Sequence, residues 1–325
     1  MKASPFMVQW KITYKCNMKC SFCSIHKCGE KYFPEQTELD LESSKLLVDD
    51  LHKLGFSIID FSGGEPLIKE NFEELLAYAK RKNLFIILNT NGMLLEESLK
   101  LKKFRENVDL IRISLDSVKN FDEIRGVKGA FHKVVDAIKL ARGFNIPITI
   151  NATINNDNFH EMEDLAKLAK KINAKITFSA VNMHERPITG DFTQADVCGH
   201  VPSVDTSCFV SEIIRLKKKN SAVANTDFYL NYLREKKRMN KLCKVLSYSI
   251  NILPDGSISL PCDAFVIKKI NGAGDLQRAL DSNDFMNYKH KTGTFDFCSN
   301  CDSRCAIYPQ AIRNLANLFD LIVNW

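Results

Sequence analysis

Three cysteines near the start of this chain are spaced for metal chemistry. Cys16, Cys20 and Cys23 fall within ITYKCNMKCSFCS, in C-x3-C-x2-C order. Three thiolates in so short a loop can converge on one centre, and soft thiolates select zinc, copper(I) or iron–sulfur clusters. A structural zinc or a plain four-iron cluster takes four protein ligands. This loop supplies three, which leaves one metal position open for chemistry. Cys28, following as C-x4-C, is the alternative fourth ligand.

A second group lies toward the other end. Cys243 and Cys262 bracket Pro254-Asp255-Gly256, a turn signal between two apolar runs. Cys298, Cys301 and Cys305 read C-x2-C-x3-C. A hairpin that brings two thiolates together, plus a distant pair, supplies four ligands for one cluster or one zinc. The expected set is Cys243, Cys262, Cys298 and Cys301, with Cys305 as the competitor. The eleven cysteines are an odd number. With no apolar leader in MKASPFMVQW and no apolar run long enough to span a bilayer, a reducing cytoplasm is expected. Cysteines there serve metals or reactive chemistry more often than disulfides.

The elements that must hold these residues follow a regular rhythm. Strands are expected at Val8–Tyr14, Ser57–Phe61, Leu84–Leu88, Leu110–Leu115, Ile146–Ile150 and Lys175–Phe178. Helices are expected between them at Leu41–Leu54, Asn71–Arg81, Glu96–Phe104, Ala130–Arg142 and His160–Lys171. Short apolar strands alternating with helices imply a parallel sheet. Six βα units are too few for a complete eight-fold barrel. An open partial barrel or a doubly wound sheet remains.

Polar groups cluster at the carboxyl ends of those strands, where parallel α/β folds bind ligands. Strand two ends in Ser62-Gly63-Gly64-Glu65-Pro66. Its glycines allow close backbone approach, and Glu65 offers a carboxylate to an amine. Strand three ends in Asn89-Thr90-Asn91-Gly92, strand four in Ser114 and Asp116, strand five near Asn151 and Thr153. Ser114 and Asp116 can bond ribose hydroxyls. No G-x-G-x-x-G follows strand one and no P-loop is present, so nicotinamide and Walker-type sites are not supported.

Past Ala180 the rhythm breaks. Val181–Ser207 reads as a long loop. Two basic helical stretches follow at Phe209–Lys219 and Asp227–Lys241, then strands Tyr248–Leu253 and Ser257–Leu260, then a closing helix, Pro309–Trp325. That helix carries an apolar stripe that suits docking on the body, with a membrane-surface or dimer contact as the alternative. The formal charge of +6 is uneven: Glu212–Lys244 holds ten Lys/Arg against three Asp/Glu. This segment suits a phosphate-bearing substrate, an acidic peptide, an acidic electron donor or anionic lipid. No aromatic falls within the two basic runs, Arg215–Lys219 and Arg234–Arg238, which argues against nucleic acid.

Taken together, Cys16-x3-Cys20-x2-Cys23, Gly63-Gly64-Glu65-Pro66 and Ile113-Ser114-Leu115-Asp116 resemble the radical S-adenosylmethionine superfamily. The resemblance covers about residues 8–180. It implies an α/β fold, a partial (β/α)6 TIM-like barrel over 1–180. A basic helical connector would span 181–242, and a small cysteine-rich hairpin-and-helix domain 243–325. It implies a [4Fe–4S] cluster on Cys16, Cys20 and Cys23, with S-adenosylmethionine chelating the fourth iron. One electron from the cluster would release a 5′-deoxyadenosyl radical that abstracts a substrate hydrogen. By the same pattern Gly63, Gly64 and Glu65 contact the methionine amine, and Phe22 packs beside the adenine. Ser114 and Asp116 lie near the ribose or carboxylate, with Asn89 and Asn151 as further cofactor contacts. Arg125 is a candidate for the carboxylate, or an ordinary helix arginine. The C-terminal cysteines are similar to SPASM/twitch extensions, which implies one auxiliary [4Fe–4S] cluster. In such an enzyme Cys198 or Cys208 would be a hydrogen-atom donor, with a plain buried cysteine as the alternative for each. The expected substrate is a peptide or small metabolite, with a lipid or RNA as the alternative. The expected reductant is a small flavodoxin- or ferredoxin-type protein. A non-catalytic iron–sulfur or zinc scaffold is the distant alternative.

Overall fold

The computed structural model describes residues 5–23, 25, 38–181, 204–235, 243–262, 266–295 and 298. Cys28, Cys198, Cys301, Cys305, the loop 182–203, Lys236–Arg238 and the expected closing helix lie outside them.

Six strands and their helices alternate as expected. They are β1 (Met7–Thr13), α1 (Leu41–Lys53), β2 (Ile58–Gly63), α2 (Phe72–Arg81) and β3 (Phe85–Thr90). Next come α3 (Leu95–Lys100), α4 (Lys102–Arg105), β4 (Leu110–Ser114), α5 (Phe121–Arg125) and α6 (Ala130–Gly143). The set closes with β5 (Ile148–Ile154), α7 (Met162–Lys171) and β6 (Lys175–Ala180). Local chemistry fixes the helix starts. Asp40 caps α1 by accepting from the Ser43 amide at 2.7 Å, a contact worth about 1 kcal/mol. The expected single helix Glu96–Phe104 is two, broken at an extended Leu101. Leu99 and Phe104 are both fully buried, and five residues apart on one helix they would point in different directions.

Later come α8 (Thr206–Lys219), α9 (Asp227–Arg234), β7 (Ser249–Ile252), β8 (Ser257–Pro261), β9 (Val266–Asn271), α10 (Leu276–Asp281) and α11 (Asn283–Lys291). All nine strands form one sheet in the order β6-β5-β4-β3-β2-β1-β7-β8-β9. Each of the first six lies beside its successor and parallel to it. A doubly wound sheet reverses its strand order at a switch point. Here β1 to β6 run in sequence order across six neighbouring positions with no reversal among them, which is the winding of a barrel. β7 extends it, pairing parallel to β1, and β8 and β9 follow antiparallel.

The register sorts side chains onto two faces. Val8, Ile59, Ile86 and Ile250 share one row, and Trp10, Phe61, Leu88, Ile111 and Ile252 the next. This face is buried in one hydrophobic cluster with helix residues such as Leu47, Leu76 and Leu165. The other face is more polar, although Ile87 and Leu110 continue its Gln9–Asp60 row. Gln9 stands between Asp60 and Asn251, and Asn89, Arg112 and Thr149 form another row. Strands buried by helices on both faces would be apolar throughout. The alternation marks helices outside and a polar interior. Among the described residues no helix is long and apolar enough to cross a membrane.

Candidate active site

The thiolate loop leaves β1 and is clamped from two sides. On one side the Gly64 amide donates to the Thr13 carbonyl at 2.8 Å, and the Glu65 amide to Lys15 at 2.9 Å. Contact there is so close that a Cβ on Gly64 would stand 2.1 Å from the Lys15 oxygen. Gly63 is packed as tightly against the Thr13 backbone. On the other side the Lys19 amide donates to Arg125 O at 3.1 Å, and the Ser21 amide to Ile124 O at 2.9 Å. The end of α5 thus finds partners for carbonyls that a helix leaves open.

The sulfurs differ in setting. Cys16 is exposed, Cys23 half-buried and Cys20 buried. Arg125 Nη1 donates to Cys20 Sγ at 3.3 Å, and Asn91 Nδ2 lies 3.7 Å from Cys16 Sγ. Burial pushes both thiols up, and Arg125 pulls back on Cys20. Among the described residues no three Cys, His, Asp or Glu side chains stand gathered around an ion position. The set nonetheless fits an anionic, soft centre: two sulfurs already face cationic or amide donors, and the backbone around them is fixed.

Glu65 is fully buried. Its carboxylate accepts from the Leu67 amide at 3.1 Å, Thr90 Oγ1 at 2.8 Å and the Asn91 amide at 2.7 Å. None of these donors is charged. Burial pushes its pKa up to about 7 against those three bonds.

Asp116, just past the end of β4 and two strands along from Glu65, is buried as well. One oxygen accepts from the Thr153 amide at 2.8 Å and the other from Arg125 Nη2. The guanidinium of Arg125 stands 5.3 Å from the ring centres of both Phe22 and Phe121. Its Nε is buried without a partner. The turn carrying these groups is held from below. Glu161, fully buried, accepts from Ser117 Oγ at 2.7 Å and from the Val118 and Lys119 amides at 2.7 and 2.9 Å.

Other expected contacts are partnered within the chain. Asn89 donates to Asp60 and, at 3.0 Å, to Phe61 O; Asn151 accepts from Thr177 at 2.7 Å. Both lie inside strands, because β3 and β5 run further than expected. Ser114 closes β4, in register with Asn151. Cys208 is exposed in the first turn of α8. Cys243 and Cys262 are half-buried and pack against the core. Cys298 is half-buried too, and burial raises its pKa.

The sequence reading passed over Ser249, Asn251 and Ser259. They are buried on the polar face of β7 and β8, and Ser249 Oγ, Ser259 Oγ and both Asn251 amide atoms have no partner. Their signal was strict alternation with Ile250, Ile252, Ile258 and Leu260. A buried polar group without a partner costs about 1–3 kcal/mol. Asn251→Leu is therefore expected to stabilise the protein by that order, read as a higher urea midpoint at unchanged m-value. A lower midpoint would show that the amide is satisfied.

Six parallel strands wound in sequence order, with a thiolate loop at the carboxyl edge of the first, define a recognisable class. Residues 10–169, just under half of the chain, match the Radical SAM superfamily model, and this segment is a Radical SAM domain. The superfamily uses a [4Fe–4S] cluster and S-adenosylmethionine. The chain is similar to Fe-coproporphyrin III synthase of Methanosarcina barkeri, 33% identical over 47% of this chain and 38% of that protein. It is also similar to PqqA peptide cyclase of Gluconobacter oxydans, 31% identical over 49% of this chain and 44% of that protein. The chain thus spans less than half the length of these relatives. Among solved structures, anSMEcpe with bound AdoMet matches at a TM-score of 0.66 and 18% identity, over 99% of this chain and 98% of that one. That likeness shows the fold.

Proposed function

We propose that this chain cleaves S-adenosylmethionine reductively and uses the product radical to modify a peptide. The observation that carries the reading is the clamp. One short loop bears three thiolates, and Gly64 and the end of α5 fix its backbone. When bound, the cluster supplies one electron that splits the sulfonium into methionine and a 5′-deoxyadenosyl radical able to take a hydrogen atom. Cys16, Cys20 and Cys23 would hold that cluster. Glu65 would take the cofactor's ammonium, since its buried carboxylate has only neutral donors of its own. The polar inner face would bind substrate, and neutral groups such as Asn251 suit peptide amides. Cys243, Cys262, Cys298 and Cys301, with Cys305 as the competitor, would hold an auxiliary cluster. The basic α8 region would meet an acidic electron carrier.

The match to PqqA peptide cyclase supports a peptide. The match to Fe-coproporphyrin III synthase supports a tetrapyrrole as the second reading. The test is anaerobic reconstitution, followed by S-adenosylmethionine and dithionite. Release of 5′-deoxyadenosine is expected from the intact protein and none above background from the Cys16→Ala/Cys20→Ala/Cys23→Ala variant. Equal release from both would overturn the assignment of the loop. Formation of an iron porphyrin from a more reduced iron tetrapyrrole, followed by its visible absorbance, would select the second reading.

A further inference from the structure

The guanidinium of Arg125 is divided between two partners. Nη1 donates to Cys20 Sγ at 3.3 Å and Nη2 donates to Asp116. Arginine commonly meets a carboxylate with both arms at once. Here one arm is withheld from Asp116 and given to a sulfur. The loop does not need that arm as an anchor, because the carbonyls of Ile124 and Arg125 already bind its backbone. All three groups are at least nine-tenths buried: Arg125 is 6%, Cys20 7% and Asp116 0% exposed. Phe22 and Phe121 flank the cation and keep it oriented. A fixed charge in such a setting is weakly screened by water or salt.

We propose that Arg125 tunes the reduction potential of the cluster through Cys20, with Asp116 as its counterweight. The proposal rests on Cys20 being a cluster ligand. The step concerned is [4Fe–4S]2+ plus one electron giving [4Fe–4S]+, with no bond made and no proton moved. Hydrogen bonds to ligand sulfur and net charge nearby are established controls on such potentials. The added electron makes the cluster more negative, so a cation on Cys20 favours reduction and a carboxylate behind that cation opposes it. The two residues should therefore act with opposite signs. Lysine is a poor substitute, since a single ammonium cannot reach both partners as a fork does.

The experiment is an anaerobic dithionite titration of the reconstituted holoenzyme, followed by EPR. The signal that S-adenosylmethionine perturbs identifies the N-terminal cluster, and the midpoint is then taken without that ligand. Arg125→Met is expected to disfavour reduction about tenfold, a fall of about 59 mV for one electron. Asp116→Asn is expected to shift the midpoint the other way, and Arg125→Lys to fall between wild type and Arg125→Met. Unchanged midpoints, or Arg125→Met and Asp116→Asn moving in the same direction, would overturn the proposal, since a merely loosened site moves both alike. If Arg125→Met binds no iron, the direction of Asp116→Asn decides alone: a rise supports the proposal, and no change or a fall sinks it. Cys20→Ala separates the two levels of the argument. A cluster that survives it intact refutes the ligand assignment; a lost cluster upholds it whatever the midpoints do.

Discussion

Gly64→Ala should empty the N-terminal thiolate site. Iron bound there after reconstitution is expected to fall at least tenfold, with far-ultraviolet circular dichroism retained. The added methyl would lie 2.1 Å from the Lys15 oxygen and 2.7 Å from both Lys15 C and Tyr14 O. All three are backbone atoms, so no rotamer change relieves the clash. The loop must move away, and the 2.8 and 2.9 Å bonds from Gly64 and Glu65 must open. Overpacking of this kind costs about 1–3 kcal/mol, and here it falls on the segment that spaces the cysteines. Gly63 is less informative, because its φ of 135° would add backbone strain to the crowding. The proper control is Gly143→Ala. Nothing lies within 4 Å of a methyl there, and the residue closes α6. It should bind iron like wild type and gain a little stability from alanine's helix propensity. If Gly64→Ala binds iron as Gly143→Ala does, the clamp is not what arranges the thiolates.

Much of this architecture was legible from periodicity. Six strands and their helices fell where apolar spacing put them, because each buries one face against the same core. The direction of winding was not legible. Strand order depends on which neighbour each strand pairs with, and nothing local in the chain encodes that. The join of β7 to β1 was hidden for the same reason. β9 escaped notice because an edge strand carrying Lys268 and Lys269 lacks the alternation of a half-buried one. At the site, residue types were readable and partners were not. Glu65 and Asp116 were recognisable as carboxylates at strand ends. That Glu65 would meet only neutral donors, and that Arg125 would divide itself between Asp116 and Cys20, depends on contacts between residues far apart in sequence. Glu161 went unnoticed for that reason, since a glutamate at the start of a helix resembles any capping residue until Ser117 is seen beside it.

Glu65 makes a second prediction, which turns on its lack of a charged partner. Its carboxyl titrates near 4.5 when exposed and at about 7 in the folded chain. Between those values the folded state holds the proton more tightly than the unfolded state. Stability must then fall as pH rises, since the unfolded state binds fewer protons. The whole penalty is absent below about pH 4.5 and complete above about pH 7. At 1.36 kcal/mol per unit of pKa, it amounts to about 3 kcal/mol. The apo protein is therefore expected to lose about 3 kcal/mol relative to Glu65→Gln when urea unfolding is compared at pH 4.5 and 7.5. Parallel pH profiles would mean that the carboxylate is already compensated. A ligand that brings an ammonium group to this oxygen pair would remove the penalty by holding Glu65 ionised. Stabilisation by S-adenosylmethionine should then grow from pH 5 to 7.5 in wild type and stay flat in Glu65→Gln. The opposite trend would place the ammonium elsewhere. The same burial that makes Glu65 costly in the empty chain is thus what would make it selective for a cation, because a carboxylate already paired with a lysine or arginine would have little left to gain.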